Sequence, residues 1–354
     1  METTTYKLKD VLKIGNGKDH SSLPDGEYPV LGSGGIMRYA NRYLYDGESV
    51  LLPRKGTLNN IQYIKGKFWT VDTCYYTIIN QDITHPYYLY RLLRTFDLSG
   101  LDSGASIPSM TSKTYYGIKV QLPPLPTQQK IASILSAYDN LIQNYKKQIE
   151  ALQTTASELY KEWFVRFRFP GYQTTKFENG IPEGWKIEKV KNCVNRLPFG
   201  QTYKKDELEP EGNVIVIDQS EDEYLGYHNN EPSHKASAEN PIALFGDHSC
   251  KYKLMIKDFS LGENIIPYTS KGVDLYYLYY SVYKIVQTEE YKRHWNLFVN
   301  KKVLISNNEL QKSFRQKVIP IFKQIEILNK QITNLTQQRD LLLPRLMSGK
   351  LEVE

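Results

Sequence analysis

The chain has 354 residues, 40% hydrophobic and 24% charged, with a formal net charge of +6. That composition excludes a disordered chain and leaves room for two or three domains with cores of their own, while the mild positive balance permits a polyanionic partner without requiring one. Three scattered cysteines, Cys74, Cys193 and Cys250, exclude a disulfide scaffold, and neither an apolar signal segment in METTTYKLKD nor a run of about 18 apolar residues is present, so the protein is expected in the cytoplasm, away from membranes.

In chain order, Tyr6 to Leu12 alternates apolar and polar residues ahead of a loop, IGNGKDHSSLPDG. From Gly26 to Ile79, short β-type runs alternate with turn signals: YPVL then GSGG, ESVLLP then RKGTLNN, FWTVDTCYYTII then NQD. Pro86 to Phe96 reads as a helix, Ser99 to Gly117 as a flexible Gly/Ser loop, and GIKVQL as a strand. From Leu122 to Arg168 the pattern changes. Pro123, Pro124 and Pro126 fix an extended start and Thr127 is the expected N-cap. Apolar residues then fall at Ile131, Leu135, Tyr138, Ile142, Tyr145, Ile149, Leu152, Ala156, Leu159 and Trp163. Steps of four and three alternate throughout, the seam of a coiled coil. A helix over Thr127 to Arg168 would be roughly 60 Å long.

A Pro/Gly-rich linker, residues 170–184, leads into a second passage on the same plan. WKIEKVK matches YKLKDVL; NVIVID is a strand; PIALFGD takes the place of ESVLLPRK, ENIIPYTS that of DTCYYTII, and LYYLYYSVYKIV that of the helix PYYLYRLLRTF. HWNLFVNKKVLIS replaces the Gly/Ser loop and last strand. Val318 to Leu342 is again helical, with Ile321, Ile325, Leu328, Ile332, Leu335 and Leu342 at heptad spacing, Arg339 as the one polar intruder, and Pro344 and Gly349 as terminators. The expected architecture is mixed α/β: globular domains over 1–121 and 185–316, long helices over 122–169 and 317–354, and the helices packed as an antiparallel coiled coil in a pseudo-twofold internal repeat. Pairing of the seams between two chains, in a homodimeric adaptor with no nucleic-acid role, is the alternative.

Catalytic motifs are wanting. LGSGGIMRYA lacks the Gly-Lys-Ser/Thr ending of a phosphate loop and the spacing of a dinucleotide fingerprint, and reads as a tight turn. A methyltransferase needs Asn/Asp-Pro-Pro-aromatic, but Pro123–Pro124 follows Leu122. Pro24–Asp25 has no acid-x-Lys partner of a nuclease, DQSEDEY reads as a solvated loop, and no Ser/His/Asp set stands out. His228, His234, His248 and Cys250 match no zinc spacing, so no metal is expected. The chain reads as a binder without catalytic residues. Cations and amides among small residues in loops are the candidate DNA contacts: Arg54, Lys55, Asn59 and Asn60 in RKGTLNN, Thr111 and Lys113 in SMTSKT, Lys271 in TSKG, and Asn300, Lys301 and Lys302 in NKK. Arg and Lys neutralise phosphates or pair with guanine, and Asn pairs with adenine.

Four stretches carry a family resemblance: YPVLGSGGIMRYANRYLYDGESVLLPRKGT with FWTVDTCYYT; SGASIPSMTSKTYYGIKVQLPPLPTQQKIASIL; LYKEWFVRFRFPGY with GIPEGW; and QRDLLLPRLMSGKL. In this order they resemble the DNA specificity subunits of type I restriction–modification systems. The second half departs, lacking GSGG and RKGT and carrying VIPIFKQIEIL where the first has LPPLPTQQ. The resemblance implies that each globe is a target recognition domain reading one half of a bipartite double-stranded DNA site. It implies that the helices set the spacing and dock two modification subunits, which bring S-adenosylmethionine and the adenine-methylating site, with restriction subunits joining them. This chain would then need no cofactor, and the partner would flip the target adenine. Base contacts would be worth about 1–3 kcal/mol each, above a salt-dependent phosphate background. Trp163 and Phe164, where the long helix ends, are expected to meet a partner's surface. A system with methylase and nuclease fused on one other polypeptide would use the same kind of chain.

Overall fold

The structure, a computed structural model, describes residues 2–98, 100, 108–209, 212–220, 222–288, 292–351 and 353. It divides into two compact units, Met1–Gln143 with Thr333–Glu354, and Asn144–Ile332.

The first unit opens with β1 (Thr4–Lys7), one helical turn α1 (Leu8–Val11) and β2 (Leu12–Asn16). Next come β3 (Asp25–Gly32), β4 (Gly35–Ala40), β5 (Tyr45–Pro53), β6 (Gln62–Thr70) and β7 (Cys74–Ile79), then α2 (Pro86–Leu93), α3 (Ser112–Gly117), β8 (Lys119–Leu122) and the long α4 (Leu125–Tyr160). Six strands form one sheet in the order β2-β7-β5-β6-β3-β4, and β1 pairs with β8 apart from it. Neighbours are antiparallel except β3 and β6. β5 is central, and its Val50, Leu51 and Leu52 are buried, which is why this strand shows a continuous apolar run rather than alternation. FWTVDTCYYTII is two strands, not one run: a turn at Val71 to Cys74, closed by a 3.0 Å bond from Cys74 N–H to Val71 O, sends its pieces to either side of β5.

Part of the expected Gly/Ser loop is ordered as α3. Thr111 caps it, its Oγ1 accepting from Thr114 N–H at 3.2 Å, and Tyr115 points inward to donate from its hydroxyl to Pro53 O at 2.7 Å. The rest of that expectation, Ser99 and residues 101–107, lies outside the described residues. The core joins Leu8, Val50, Leu52, Leu89, Tyr115 and Val120 to Ile131 and Leu135 of α4 and to Leu346 near the chain's end. Burial of each such aliphatic side chain contributes about 1.5–3 kcal/mol.

The second unit repeats this order. A π-helical turn, Lys161–Val165, prolongs α4; the small hairpin β9 (Phe177–Glu178) and β10 (Ile181–Pro182) follows, then β11 (Lys186–Lys189), α5 (Val190–Cys193) and β12 (Val194–Arg196). β13 (Val214–Ile217), β14 (Gly226–His228), β15 (Ile242–Gly246), β16 (Tyr252–Met255), β17 (Phe259–Leu261), β18 (Ile265–Ser270), α6 (Leu275–Val282), α7 (Trp295–Asn300), β19 (Lys302–Ile305) and α8 (Asn308–Met347) complete it. β11 pairs with β19 as β1 does with β8, and β12-β18-β15-β16 runs as β2-β7-β5-β6 does. The long β6 has two successors here, β16 and β17, because Ile256 to Asp258 interrupts the run; β17 keeps the parallel partnership, with β13. One sheet therefore becomes two.

Within each unit, α4 packs on α8 with opposite chain sense. In the first, the N-terminal half of α4 meets the C-terminal part of α8, burying Ile131, Leu135 and Leu346 and half-burying Leu342. Arg339, the polar intruder, donates to Asp139 at 2.7 Å, and Asp139 also takes the buried Arg91 guanidinium and the Tyr87 hydroxyl. In the second, Ile149, Leu152, Ala156 and Leu159 of α4 join a core with Phe314, Val318, Phe322 and Ile325 of α8. Ile142 and Leu328 are buried, while Tyr138, Tyr145, Ile332 and Leu335 are half-buried.

Three expectations change. α8 begins at Asn308, not Val318, and passes through Pro320 and Pro344; Gly349, with φ +71°, follows its end. Thr127 is not an N-cap: its own N–H donates to Pro124 O at 2.9 Å inside the helix's first turn. Trp163 and Phe164 are not a partner surface but part of the second unit's core, 8% and 4% exposed, with the Phe164 ring centroid 4.6 Å from that of Tyr277 and 5.3 Å from that of Phe314.

Candidate nucleic-acid interface

Three loops of the first unit are sewn together by backbone bonds. Beyond β5, Arg54 N–H donates to Thr73 O at 2.8 Å and Arg54 O accepts from Met110 N–H at 3.0 Å. Gly56 N–H donates to Pro108 O at 3.0 Å, and Lys55 bridges to Ser109. The β3–β4 turn joins from the other side: Asn60 Nδ2 donates to Ser33 O at 2.6 Å and Gln62 Nε2 to Gly32 O at 2.9 Å. Gly56 has φ +89°, and a Cβ there would sit 3.2 Å from Ser33 Oγ, so this position suits glycine on both counts. The GSGG turn, the RKGT loop and the SMTSK loop thus form one cluster, though they are separated in sequence.

The cluster presents cations. Arg54, Lys55 and Lys113 are exposed, and among the described residues none of them has an ion-pair partner. The Arg54 guanidinium carbon lies 5.9 Å from the Tyr75 ring centroid, at the outer edge of cation–π range. The amides do other work. Asn59 donates to Asp97 at 3.2 Å and accepts from Leu98 N–H at 2.8 Å, so both ends of its amide are used; Asn60 grips Ser33 O and Thr111 caps α3. These three shape the loops that carry the cations.

The second unit places its candidates elsewhere. Lys271 N–H donates to Cys193 O at 2.8 Å, as Asn80 N–H does to Val11 O at 2.9 Å, so Lys271 stands at the opposite end of its sheet from the counterpart of Arg54. Asn300 donates to Asn296 O at 2.8 Å in the last turn of α7; Lys301 O accepts from Val190 N–H as Ile118 O does from Leu8 N–H, both at 2.9 Å; and Lys302 on β19 stands opposite Lys189 on β11. By strand register the place of Arg54 is held by Asp247, whose carbonyl accepts from His294 N–H at 2.7 Å. Its carboxylate also accepts from Trp295 N–H at 2.9 Å, and Arg293 is 81% exposed beside it. Lys251, the next cation along, is turned inward: its ammonium donates to Ser220 O and Asp222 O, both at 2.6 Å. Burial pushes that lysine's pKa down while the acidic loop opposes the shift. Choice by charge alone picked Lys271 and the NKK run; matching PIALFGD to ESVLLPRK residue by residue leads to Asp247 and, across its bond, to Arg293.

Residues 1–154 match the family model for the type I restriction modification DNA specificity domain. Across 98% of its length the chain is 25% identical to the type I restriction enzyme MjaIX specificity subunit of Methanocaldococcus jannaschii, covering 93% of that protein. Its first 154 residues therefore match a type I DNA specificity domain, and nearly its whole length is similar to a type I specificity subunit. A second relative from that organism, the type I restriction enzyme MjaVIII specificity subunit, is 36% identical over 36% of this chain and 30% of its own. The crystal structure of a type I restriction–modification system S subunit from M. genitalium has the same fold, with a TM-score of 0.59 at 15% identity over 98% of this chain and 96% of that one.

Two histidines of the second unit, His228 and His234, are structural. His228 Nδ1 accepts from Asn230 N–H at 3.1 Å, its Nε2 meets Ser260 Oγ at 2.9 Å, and its ring stacks on Tyr203 at 4.1 Å. His234 meets Phe199 O at 3.1 Å and stacks on Phe259. Burial lowers the pKa of both. Among the described residues no group of three potential ligands could hold a metal ion, and no helix is long and apolar enough to cross a membrane.

Proposed function

We propose that this chain is the DNA-reading, non-catalytic subunit of a cytoplasmic type I restriction–modification system. Each unit's globe is a target recognition domain that reads one half of a bipartite site in double-stranded DNA. The α4–α8 pair sets the spacing between the halves and docks two modification subunits, which carry S-adenosylmethionine and methylate adenine; restriction subunits join that complex. The chain itself holds no cofactor. Arg54, Lys55 and Lys113 contact phosphate or guanine in the first half-site, and Arg293 takes that part in the second.

One observation carries the reading: a globe built twice on one plan, with both copies anchored on the same two helices. Two readers of unlike surface suit a target with two unlike parts. The rival adaptor, a homodimer zipped along the seam, needs Ile131, Leu135 and Leu328 free to face a second chain, whereas they are buried. A fused methylase–nuclease partner would use the same surfaces, and the neighbouring reading frames distinguish the two organisations.

The test is adenine-methylation mapping of DNA treated with the chain and its modification subunit. One bipartite motif with a fixed spacer is expected; methylation without a motif rejects the reading. A four-residue insertion after Gln153 rotates one end of the helix pair against the other and should alter the spacer or abolish assembly; an unchanged motif rejects the spacing role.

A further inference from the structure

The hairpin β3–β4 carries an unusual load for a solvent-facing element. Ile36 is 56% and Met37 59% exposed, one residue past the Ser33–Gly34 turn in β4, with Tyr39 and Tyr43 exposed behind them. Large apolar residues grouped on one surface element mark a contact site rather than a core edge. The tip is also held firmly, since Asn60 and Gln62 clamp the two carbonyls of its turn. Around it there is room: side chains built at Gly34 and Gly35 would meet nothing within 4 Å. Beside it stand Arg54 and Lys55, exposed and without carboxylate partners among the described residues. An apolar protein surface would have no use for those cations, whereas a polyanion with an apolar interior of stacked bases satisfies both features.

We propose that Ile36 and Met37 form a wedge that enters the duplex at the first half-site and parts a base step, bending the DNA. The proposal rests on the DNA-reading role given above and assigns a mechanical task to a turn that makes no sequence-reading contact of its own. Inserted aliphatic side chains unstack a step and kink the helix, while neighbouring cations hold the backbone on either side. A clamped tip suits the task because a mobile one would fold back rather than part the bases.

The experiment uses the chain assembled with its modification subunits and a duplex carrying the mapped site, dye-labelled at both ends so that energy transfer reports bending. The parent complex, I36S/M37S and R54A/K55A are compared over a salt series. For I36S/M37S the account expects transfer to fall to the straight-duplex value and site affinity to drop about tenfold, with the recognised sequence and the salt slope unchanged. R54A/K55A should instead flatten the salt slope. Retention of the parent's bend by I36S/M37S overturns the wedge. Loss of affinity with the bend intact overturns it too and makes the pair a groove contact. Loss of assembly with the modification subunit, DNA behaviour being normal, assigns the tip to that protein. If the parent itself prefers no sequence, the DNA-reading role fails first, and the wedge with it.

Discussion

Gln128 and Gln311 make the same pair of hydrogen bonds in the two units. Gln128 Oε1 accepts from His85 N–H, the residue before α2, at 3.0 Å, and its Nε2 donates to Pro123 O at 2.8 Å. Gln311 Oε1 accepts from Asp274 N–H, the residue before α6, at 2.8 Å, and its Nε2 donates to Ser306 O at 2.8 Å. Both side chains are buried. Each fastens the first turn of a long helix to the start of a globe's main helix, so the junction between globe and helix is itself duplicated.

Replacing either glutamine by leucine strands a buried N–H and a buried carbonyl, at a cost of about 1–3 kcal/mol for each group left unpaired. Q128L should raise hydrogen exchange in Pro86–Leu93 and leave Leu275–Val282 protected; Q311L should do the reverse. Equal loosening of both helices by either variant would contradict the duplicated junction.

Asp139 binds Arg91, Tyr87 and Arg339, joining α2, α4 and α8 of the first unit. Burial works to raise its carboxyl, but hydrogen bonds from Tyr87 and Arg339 and the Arg91 charge outweigh that and hold it below the ordinary carboxylate range. A lowered folded-state pKa adds stability that is present above the unfolded value of about 3.9 and is lost as pH falls through the folded value. D139N should therefore cost about 3 kcal/mol at neutral pH, by the loss of a charge facing the buried Arg91. Urea melts of parent and variant should converge as pH drops below about 4. A gap that stays the same width at low pH would contradict the ionic account.

R54A/K55A and N59A/N60A separate contact from scaffold. Loss of two phosphate contacts lowers the salt slope of binding by about two, through counterion release. The asparagine pair makes its bonds within the protein, so N59A/N60A should leave the slope intact and speed proteolysis between Arg54 and Asp97. The opposite pattern in a salt series would exchange the two roles.

Much of this arrangement is legible in the sequence, for physical reasons that also explain what is not. The α4 seam is readable because its apolar residues recur at heptad spacing, and Ile131, Leu135 and Ile142 are buried where that spacing puts them. The start of α8 is hidden by Pro320, which argues against helix in its own neighbourhood, yet Phe314 and Val318 before it are fully buried seam residues. α3 is too short and too rich in Ser, Thr and Gly to show a period; its Thr111 cap and the inward Tyr115 make it a helix. Trp163 and Phe164 look like partner residues in a linear reading, because the aromatic shell of Trp185, Tyr277 and Phe314 that covers them comes from distant segments. The loop cluster itself has no sequence signature. Arg54 and Met110 meet through backbone groups that any residue supplies.

The central claim is that two globes read DNA independently from one helical frame. Exchange of residues 185–305 for the matching segment of another specificity subunit, followed by adenine-methylation mapping of the assembled enzyme, tests it most directly. The account predicts a new motif that keeps one half-site and the spacer of the parent and changes only the other half. A motif altered in both halves, or in neither, by an enzyme that still methylates would contradict it.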